Sequence, residues 1–158
     1  MKYFLYVAFY ALTFCSNPIP HYKSITILEW IKDIDGKDTI NLIEFDENGN
    51  ILFNEIKEGS INIESLTEDF DKLIEESKAK KINASNSAPA QAKPPKNGQK
   101  RLYITFVEIK DFDAEKEFFN KSSTVYTEII PIQDDYNFYK ILNENNLEII
   151  KQLLKSQK

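Results

Sequence analysis

A hairpin signal near the middle of the chain constrains its fold more than any other feature. Two runs rich in aromatic and β-branched residues, Thr39–Phe45 and Ile51–Ile56, flank the four residues Asp46–Gly49. Such runs are typical of strands. Asp at the first position of a turn and Gly at the fourth are typical of a type I turn closed by a glycine bulge. The segment therefore predicts two antiparallel strands joined by a tight loop.

The apolar residues on the two runs also predict the register of this hairpin. A three-residue loop places Phe45 opposite Ile51 and Ile43 opposite Phe53, whereas a two-residue loop would place Ile43 opposite Asn54. A slip of one residue moves every side chain to the other face of the sheet. The match between apolar residues therefore favours the three-residue loop.

Further strands are predicted near the C-terminal end of the chain. Aromatic residues make up 13% of the sequence, which favours sheet. The run Arg101–Ile109 alternates apolar and polar residues, and residues 124–132 are rich in Val, Thr and Ile. Both segments are interpreted as strands.

Three helices are predicted as well. The first begins with Ser24 as N-cap and ends near Gly36, although the β-branched run Ile25–Ile27 leaves a strand start open. Its apolar residues at helical spacing are Ile27, Leu28, Ile31 and Ile34. The second follows the capping box Ser65–Glu68, and the third covers about 135–155. The second helix has one apolar face and a cluster of lysines at its end, comprising Leu66, Phe70, Leu73, Ile74, Lys78, Lys80 and Lys81.

These elements predict an α+β fold, with an antiparallel sheet of four to five strands and helices packed on one face. The predicted organisation is an N-terminal half over 1–81, a flexible linker or loop over 82–100, and a C-terminal half over 101–158 that packs with the first as one domain. The linker region is rich in Ala, Ser, Asn, Pro and Lys without hydrophobic periodicity, which is typical of a disordered insert.

The insert is also the clearest electrostatic feature. Residues 77–107 carry a charge of +7 without any acid, so the remainder carries −12 within a net charge of −5. Four of these cations are candidates for contact with an anionic partner: Lys93, Lys96, Lys100 and Arg101. The alternative interpretation is a soluble tether that needs no ligand. The overall acidity argues against nucleic acid as a partner.

The N-terminal segment has two interpretations. Tyr3–Phe14 is a mostly apolar run after Met1–Lys2, and its aromatic residues are typical of a buried strand. The same pattern resembles a secretory signal, with Cys15 near a cleavage site. The run is too short to span a bilayer as a helix, so no transmembrane segment is predicted. N-terminal sequencing of the native protein distinguishes a cytoplasmic protein from a secreted or envelope protein.

Few residues suited to catalysis are present. The chain contains one histidine, one cysteine and four scattered glycines, and Arg101 is its only arginine. His21 alone cannot form a histidine metal site, and no glycine-rich loop exists to bind phosphate. Acids occur around Gly36 (Asp33, Asp35, Asp38) and over 111–117, where solvated turns are the simpler interpretation. No catalytic residue, cofactor or metal site is predicted.

The sequence thus predicts a non-enzymatic binding or assembly protein that contacts another protein or itself. One alternative is an exported envelope or extracellular protein with residues 1–15 removed. A carboxylate-metal hydrolase that uses the acids at 33–38 or 111–117 is a further alternative.

Overall fold

The computed structural model describes residues 22–77, 80–83, 93–108 and 122–155 of the chain. Seven strands, two α-helices and a short 3-10 helix make up this part. In chain order they are β1 (Tyr22–Lys32), β2 (Asp38–Asp46), β3 (Asn50–Phe53), β4 (Ile56–Ser60), α1 (Ile63–Ser77), β5 (Lys80–Asn83), β6 (Gln99–Glu108), β7 (Ser122–Pro131), the 3-10 helix (Asn137–Lys140) and α2 (Glu144–Lys155).

The seven strands form one antiparallel sheet in the order β4-β3-β2-β1-β6-β7-β5. The first four strands follow one another as a meander, in which each strand pairs with its neighbour in the chain. β6 then pairs with the other edge of β1 and carries β7 beside it. The longest strand, β1, therefore lies at the centre with both edges hydrogen-bonded.

Both α-helices pack on the same face of this sheet. Alternate side chains of the central strands are buried beneath them, as expected for a sheet with one covered face. The fully buried part of this core comprises Ile25, Ile27, Ile43, Phe45, Leu66, Phe70, Leu102, Ile104, Phe106, Phe138 and Ile150. The α+β class, the antiparallel sheet and the single helix-covered face are confirmed. The sheet is larger than predicted, because one predicted helix is a strand and two short strands were not foreseen.

The predicted hairpin is β2–β3, and its register is confirmed. Phe45 lies opposite Ile51 and Ile43 lies opposite Phe53. All four side chains are buried in the core. The pairing of apolar residues across the two strands is therefore a sufficient guide to register in this element.

The β2–β3 turn is held by backbone geometry and by one carboxylate. Gly49 has a φ of +78°, and a Cβ added to it would lie 2.2 Å from the carbonyl oxygen of Ile61, so only glycine fits. The Asp46 carboxylate accepts the backbone N–H of Asn48 at 2.8 Å and that of Asn50 at 2.9 Å. The side chain of Asp46 thus replaces backbone partners inside the loop.

The strand predicted over 51–56 is wrong at its end, because the chain turns again. β3 ends at Phe53, and Asn54 and Glu55 have φ values of 46° and 70°. Two consecutive positive φ values define a type I′ turn, after which Ile56 pairs with Phe53 and begins β4. Asparagine is common in such turns, but glutamate at the second position is not, so the sequence gives little sign of it.

The helix predicted from Ser24 is wrong, since this segment is β1. Its neighbours explain the error: Ile27 lies opposite Ile43 on β2 and opposite Ile104 on β6. β1 carries apolar side chains on the face away from the helices as well, so its sequence lacks the apolar–polar alternation that is typical of a strand with one buried face. Residues such as Leu28 on the opposite face then complete an apparent helical spacing.

α1 forms as predicted but begins two residues before the predicted cap. The Oδ1 atom of Asn62 accepts the Ser65 backbone N–H at 3.0 Å, so Asn62 caps the helix and Ser65 lies in its first turn. The predicted apolar face is buried at Leu66, Phe70 and Leu73. Lys80 and Lys81 belong to β5 instead of the helix end.

The single helix predicted over 135–155 is wrong in its first half. Asn137–Lys140 forms a 3-10 turn, and α2 begins only at Glu144. Asn143 separates them, because its Oδ1 accepts the Asn146 backbone N–H at 3.1 Å and so caps α2. An N-cap residue has non-helical geometry, which explains why the helix does not continue across this point.

Several expectations lie outside the described residues. These are the N-terminal run with Cys15 and His21, most of the insert (84–92) and the acidic run at 111–117. Of the predicted linker ends, Ile82 and Asn83 belong to β5, and Gln99 and Lys100 belong to β6. No helix in the described part of the chain is long and apolar enough to cross a membrane.

Candidate binding surfaces

The face of the sheet opposite α1 and α2 carries an apolar surface of its own. Side chains alternate along each strand, so the neighbours of the buried residues point away from the helices. Strand pairing across β2, β1, β6 and β7 aligns them in two rows. We call these eight residues the open face: Ile40, Trp30, Arg101 and Ile129 in one row, and Leu42, Leu28, Tyr103 and Thr127 in the next.

Large apolar side chains on this surface remain in solvent. Ile40 is 50% exposed and Ile129 is 45% exposed. Leu52 on β3, which extends the surface, is 36% exposed. Leu28 and Trp30 between them are half-buried. Within the ranges that the structure describes, neither helix packs on this side. Apolar side chains clustered on one surface of a protein are typical of an interaction site.

One end of the open face is organised around Trp30. Its Nε1–H donates to the Asp38 carboxylate at 2.8 Å, and the Lys32 ammonium lies 3.1 Å from the same oxygen. The hydrogen bond from Trp30, with help from Lys32, lowers the pKa of Asp38. The indole is therefore oriented by its polar edge while its ring stays in the apolar row.

Arg101 and Tyr103 are hydrogen-bonded to the segment that leads into β6. Arg101 donates through Nη1 to the Lys93 carbonyl at 2.6 Å, and the Tyr103 hydroxyl donates to the same oxygen at 3.2 Å. The guanidinium carbon lies 5.3 Å from the centre of the Tyr103 ring, which is within cation–π distance. The only arginine of the chain is thus stacked on the open face.

The four cations predicted to contact an anionic partner are divided by the fold. Arg101 lies on the open face with the Lys93 backbone beside it, and Lys96 is exposed in the same segment. Lys100 is on the other face of β6, because it alternates with Arg101 and lies on the side of buried Leu102. They do not form one basic surface, and contact with an anionic partner stays a prediction.

On the helix-covered face, a cavity of about 440 Å³ opens between the sheet and the end of α2. Its inner wall is polar. Glu29 and Asn41 are 3% and 1% exposed, and the Glu29 carboxylate accepts the Asn41 side-chain N–H at 2.9 Å and the Tyr136 hydroxyl at 3.1 Å. The Oδ1 atom of Asn41 is buried without a hydrogen-bond partner.

Lys100 forms another wall of this cavity. Its ammonium lies 4.6 Å from the centre of the Tyr136 ring. Partial burial lowers the pKa of Lys100, and the carboxylates of Glu29 and Asp135 oppose that shift. Burial raises the pKa of Tyr136, and the adjacent Glu29 adds to the effect. The tyrosine is therefore a hydroxyl donor to Glu29 at neutral pH.

Two of the three acids around Gly36 have hydrogen-bond partners in or beside the β1–β2 turn. The Asp33 carboxylate accepts the backbone N–H of Lys37 at 2.7 Å, whereas Asp38 is paired with Trp30 and Lys32. Among the residues with a described position, no three His, Cys, Asp or Glu side chains are placed to hold a metal ion.

Sequence reasoning did not identify Glu29 or Asn41. Glu29 falls within the segment predicted as a helix, where a charged residue is unremarkable. A strand assignment would have placed Glu29 on the same face as Ile25 and Ile27, and that is the signal of a buried, partnered acid. The chain has no significant match among protein-family models, curated proteins or solved structures.

Proposed function

We propose that this chain is a non-enzymatic assembly protein of the cytoplasm, and that it pairs with a second copy of itself through the open face. The observation that carries the proposal is the row of large side chains that crosses four strands, in which the exposed Ile40 and Ile129 flank the half-buried Trp30 and Arg101. The scarcity of histidine, cysteine and arginine in the sequence supports a role without catalysis.

The composition of the surface suits a contact of this kind. Apolar and aromatic side chains form the centre, where Leu28 lies beside both Trp30 and Tyr103. Aromatic residues and arginine are enriched in the cores of protein interfaces, whereas lysine and acids are depleted. The only charged member of the rows is Arg101, which is already stacked on Tyr103.

The distribution of charge permits a second copy as the occupant in one arrangement. The chain carries a net charge of −5, so two copies repel each other over most of their surface. The helix side holds many acids, including Glu64, Glu68 and Asp71 of α1. At the end of the open face, Lys32 and Asp38 neutralise each other. Pairing through the open faces keeps the acidic helices on opposite outer sides.

Sedimentation velocity of the full chain tests the proposal. We expect a monomer–dimer equilibrium with micromolar or tighter affinity, which is the range of interfaces of ordinary size. Ile40→Lys and Ile129→Lys each place a charge in the contact and should weaken the dimer at least about tenfold. Ile34→Lys is the matched control, because Ile34 is 82% exposed in the β1–β2 turn.

Three results contradict the proposal. The full chain could remain a monomer at all concentrations, or the open-face variants could associate as strongly as the Ile34 control. The third result concerns residues 1–15. If their deletion turns a monomer into a dimer, their own apolar run occupies the open face. For the cytoplasmic assignment, the contradicting result is a native protein that lacks residues 1–15, whereas an intact Met1 supports it.

A further inference from the structure

We propose that residues 93–96, which we call the strap, are an autoinhibitory element that covers the β6 part of the open face and must leave it before a second copy can pair across all four strands. This inference rests on the assembly proposed above and concerns how that assembly is regulated. The strap lies within the part of the chain that the structure describes and leads into β6.

The first observation is how the strap is docked. Two side chains of the open face converge on one of its carbonyl groups. Arg101 donates through Nη1 to the Lys93 oxygen at 2.6 Å, and the Tyr103 hydroxyl donates to the same oxygen at 3.2 Å. Pro95 is buried, whereas both of its neighbours in the chain are exposed. The strap therefore has one side against the protein and the other in solvent.

The second observation is where the strap lies in the order of strands. Arg101 and Tyr103 are the β6 members of the two rows, with β1 on one side of them and β7 on the other. A strap at their tips separates the exposed Ile129 of β7 from Trp30 and Leu28 of β1. Sheets that pack face to face lie about 10 Å apart, which leaves no room for a further segment between them. With the strap docked, a second copy reaches only part of the open face.

The third observation is that docking has a cost. The Nε atom of Arg101 is buried without a hydrogen-bond partner in the docked arrangement. A buried donor without an acceptor is unfavourable, and this offsets part of the stabilisation from the two hydrogen bonds to Lys93. The docked and released states therefore differ by less free energy than the contacts alone suggest.

The turn after the strap allows release without unfolding of β6. Gly98 donates its N–H to the Lys32 carbonyl at 2.9 Å, and the Asn97 side-chain amide donates to the Ile34 carbonyl at 3.3 Å. These bonds anchor the chain beside the β1–β2 turn, so β6 keeps its start at Gln99 when the strap moves. Movement is then confined to the residues before this turn.

The charge of the strap also opposes assembly. Lys93 and Lys96 are exposed, and the eight residues of the open face include no acid. Two docked straps would bring lysines of both copies to one interface, where like charges repel each other. Release of the straps removes this repulsion from the contact.

Sedimentation velocity of the full chain tests this proposal. Tyr103→Phe removes one of the two donors to the strap and keeps the ring in the open face. We expect docking to weaken about fivefold, as loss of one hydrogen bond does. Because both copies must release their straps, the dimer dissociation constant should fall by up to about 25-fold. Tyr126→Phe is the matched control, because this hydroxyl bonds Glu128 on the helix-covered face, and it should associate as the wild type does.

A second variant and a second measurement follow the strap itself. Pro94→Gly combined with Pro95→Gly leaves every residue of the open face unchanged. It makes the released strap more flexible and so disfavours docking. Arg101 is the only arginine of the chain, so its Nε–H gives a single NMR signal. We expect this hydrogen to exchange with water at least about tenfold faster in the proline variant than in the wild type.

Three results overturn the strap proposal and leave the assembly intact. In the first, the wild type dimerises and Ile40→Lys weakens the dimer, but neither strap variant tightens it. In the second, the strap variants dimerise more weakly, which would make the strap part of the interface. In the third, the Arg101 signal exchanges equally fast in the wild type and the proline variant. If neither the wild type nor any variant associates, the assembly itself is contradicted, and the strap proposal with it.

Discussion

One buried carboxylate joins the two α-helices. Asp69 of α1 is 2% exposed, and its Oδ2 accepts the backbone N–H of Asn143 and the side-chain amides of Asn143 and Asn146, each at 2.8 Å. Because Asn143 is also the N-cap of α2, this carboxylate fixes where α2 begins. Lys72 is 3.8 Å away at the surface. The neutral amides are therefore the main partners of the charge.

We expect Asp69→Ala to lower the free energy of unfolding by about 3 kcal/mol, because buried donors lose a charged acceptor. Glu68→Ala changes the exposed neighbour and should lie within about 0.5 kcal/mol of the wild type. Urea denaturation followed by circular dichroism measures both. Equal losses in the two variants would show that the carboxylate is not what couples the helices.

At the scale of elements, the β2–β3 turn carries a pH-dependent contribution to stability. Burial acts to raise the pKa of Asp46, but hydrogen bonds from Asn50 and Asn48 outweigh it and lower the pKa in the folded protein. A lowered folded pKa means that the ionised carboxylate stabilises the fold above its unfolded pKa of about 3.9. That contribution is lost as the pH falls through the folded pKa.

We therefore expect Asp46→Asn to be less stable than the wild type at neutral pH, with a difference that shrinks between about pH 5 and about pH 2. Thermal melts across this range measure the difference. Asp35→Asn, at an exposed position in the β1–β2 turn, is the control and should follow the wild-type profile. A constant difference for Asp46→Asn at every pH would contradict the assignment.

The elements differ in how well they can be predicted from the sequence. Asp46 and Gly49 fix the β2–β3 turn locally, and the residues on each side of it match, so this hairpin could be predicted with its register. β1 could not, because Leu28 and Trp30 add apolar residues on the face away from the helices and so remove the period of two. The break at Asn143 depends on a contact with Asp69, which is distant in sequence.

The candidate sites could not be predicted from the sequence, for the same reason as β1. The open face and the Glu29–Asn41 pair both depend on β1 lying between β2 and β6. Once β1 is mistaken for a helix, neither can be assembled from the sequence. The predicted aromatic-rich sheet was correct in kind. Its surface residues are defined only by pairings such as Trp30 with Ile40 and Arg101.

For the whole molecule, the sheet order predicts where the structure opens first. β1 is bonded on both edges, and Ile25 and Ile27 are fully buried. β4 pairs only with β3, and all five of its residues are exposed. Native-state hydrogen exchange should therefore find the slowest amides in β1 and β6, near the global free energy of unfolding. β4 should exchange much faster, and equal protection of β4 and β1 would contradict this order.

The central position of β1 also has a consequence during protein synthesis. A nascent chain that has left the ribosome as far as Ser60 holds the complete meander, yet β6 begins only at Gln99. For roughly several seconds at ordinary translation rates, the outer edge of β1 offers unpaired backbone N–H and C=O groups to any neighbouring polypeptide. A chaperone that shields newly made strands would act on this chain in that interval.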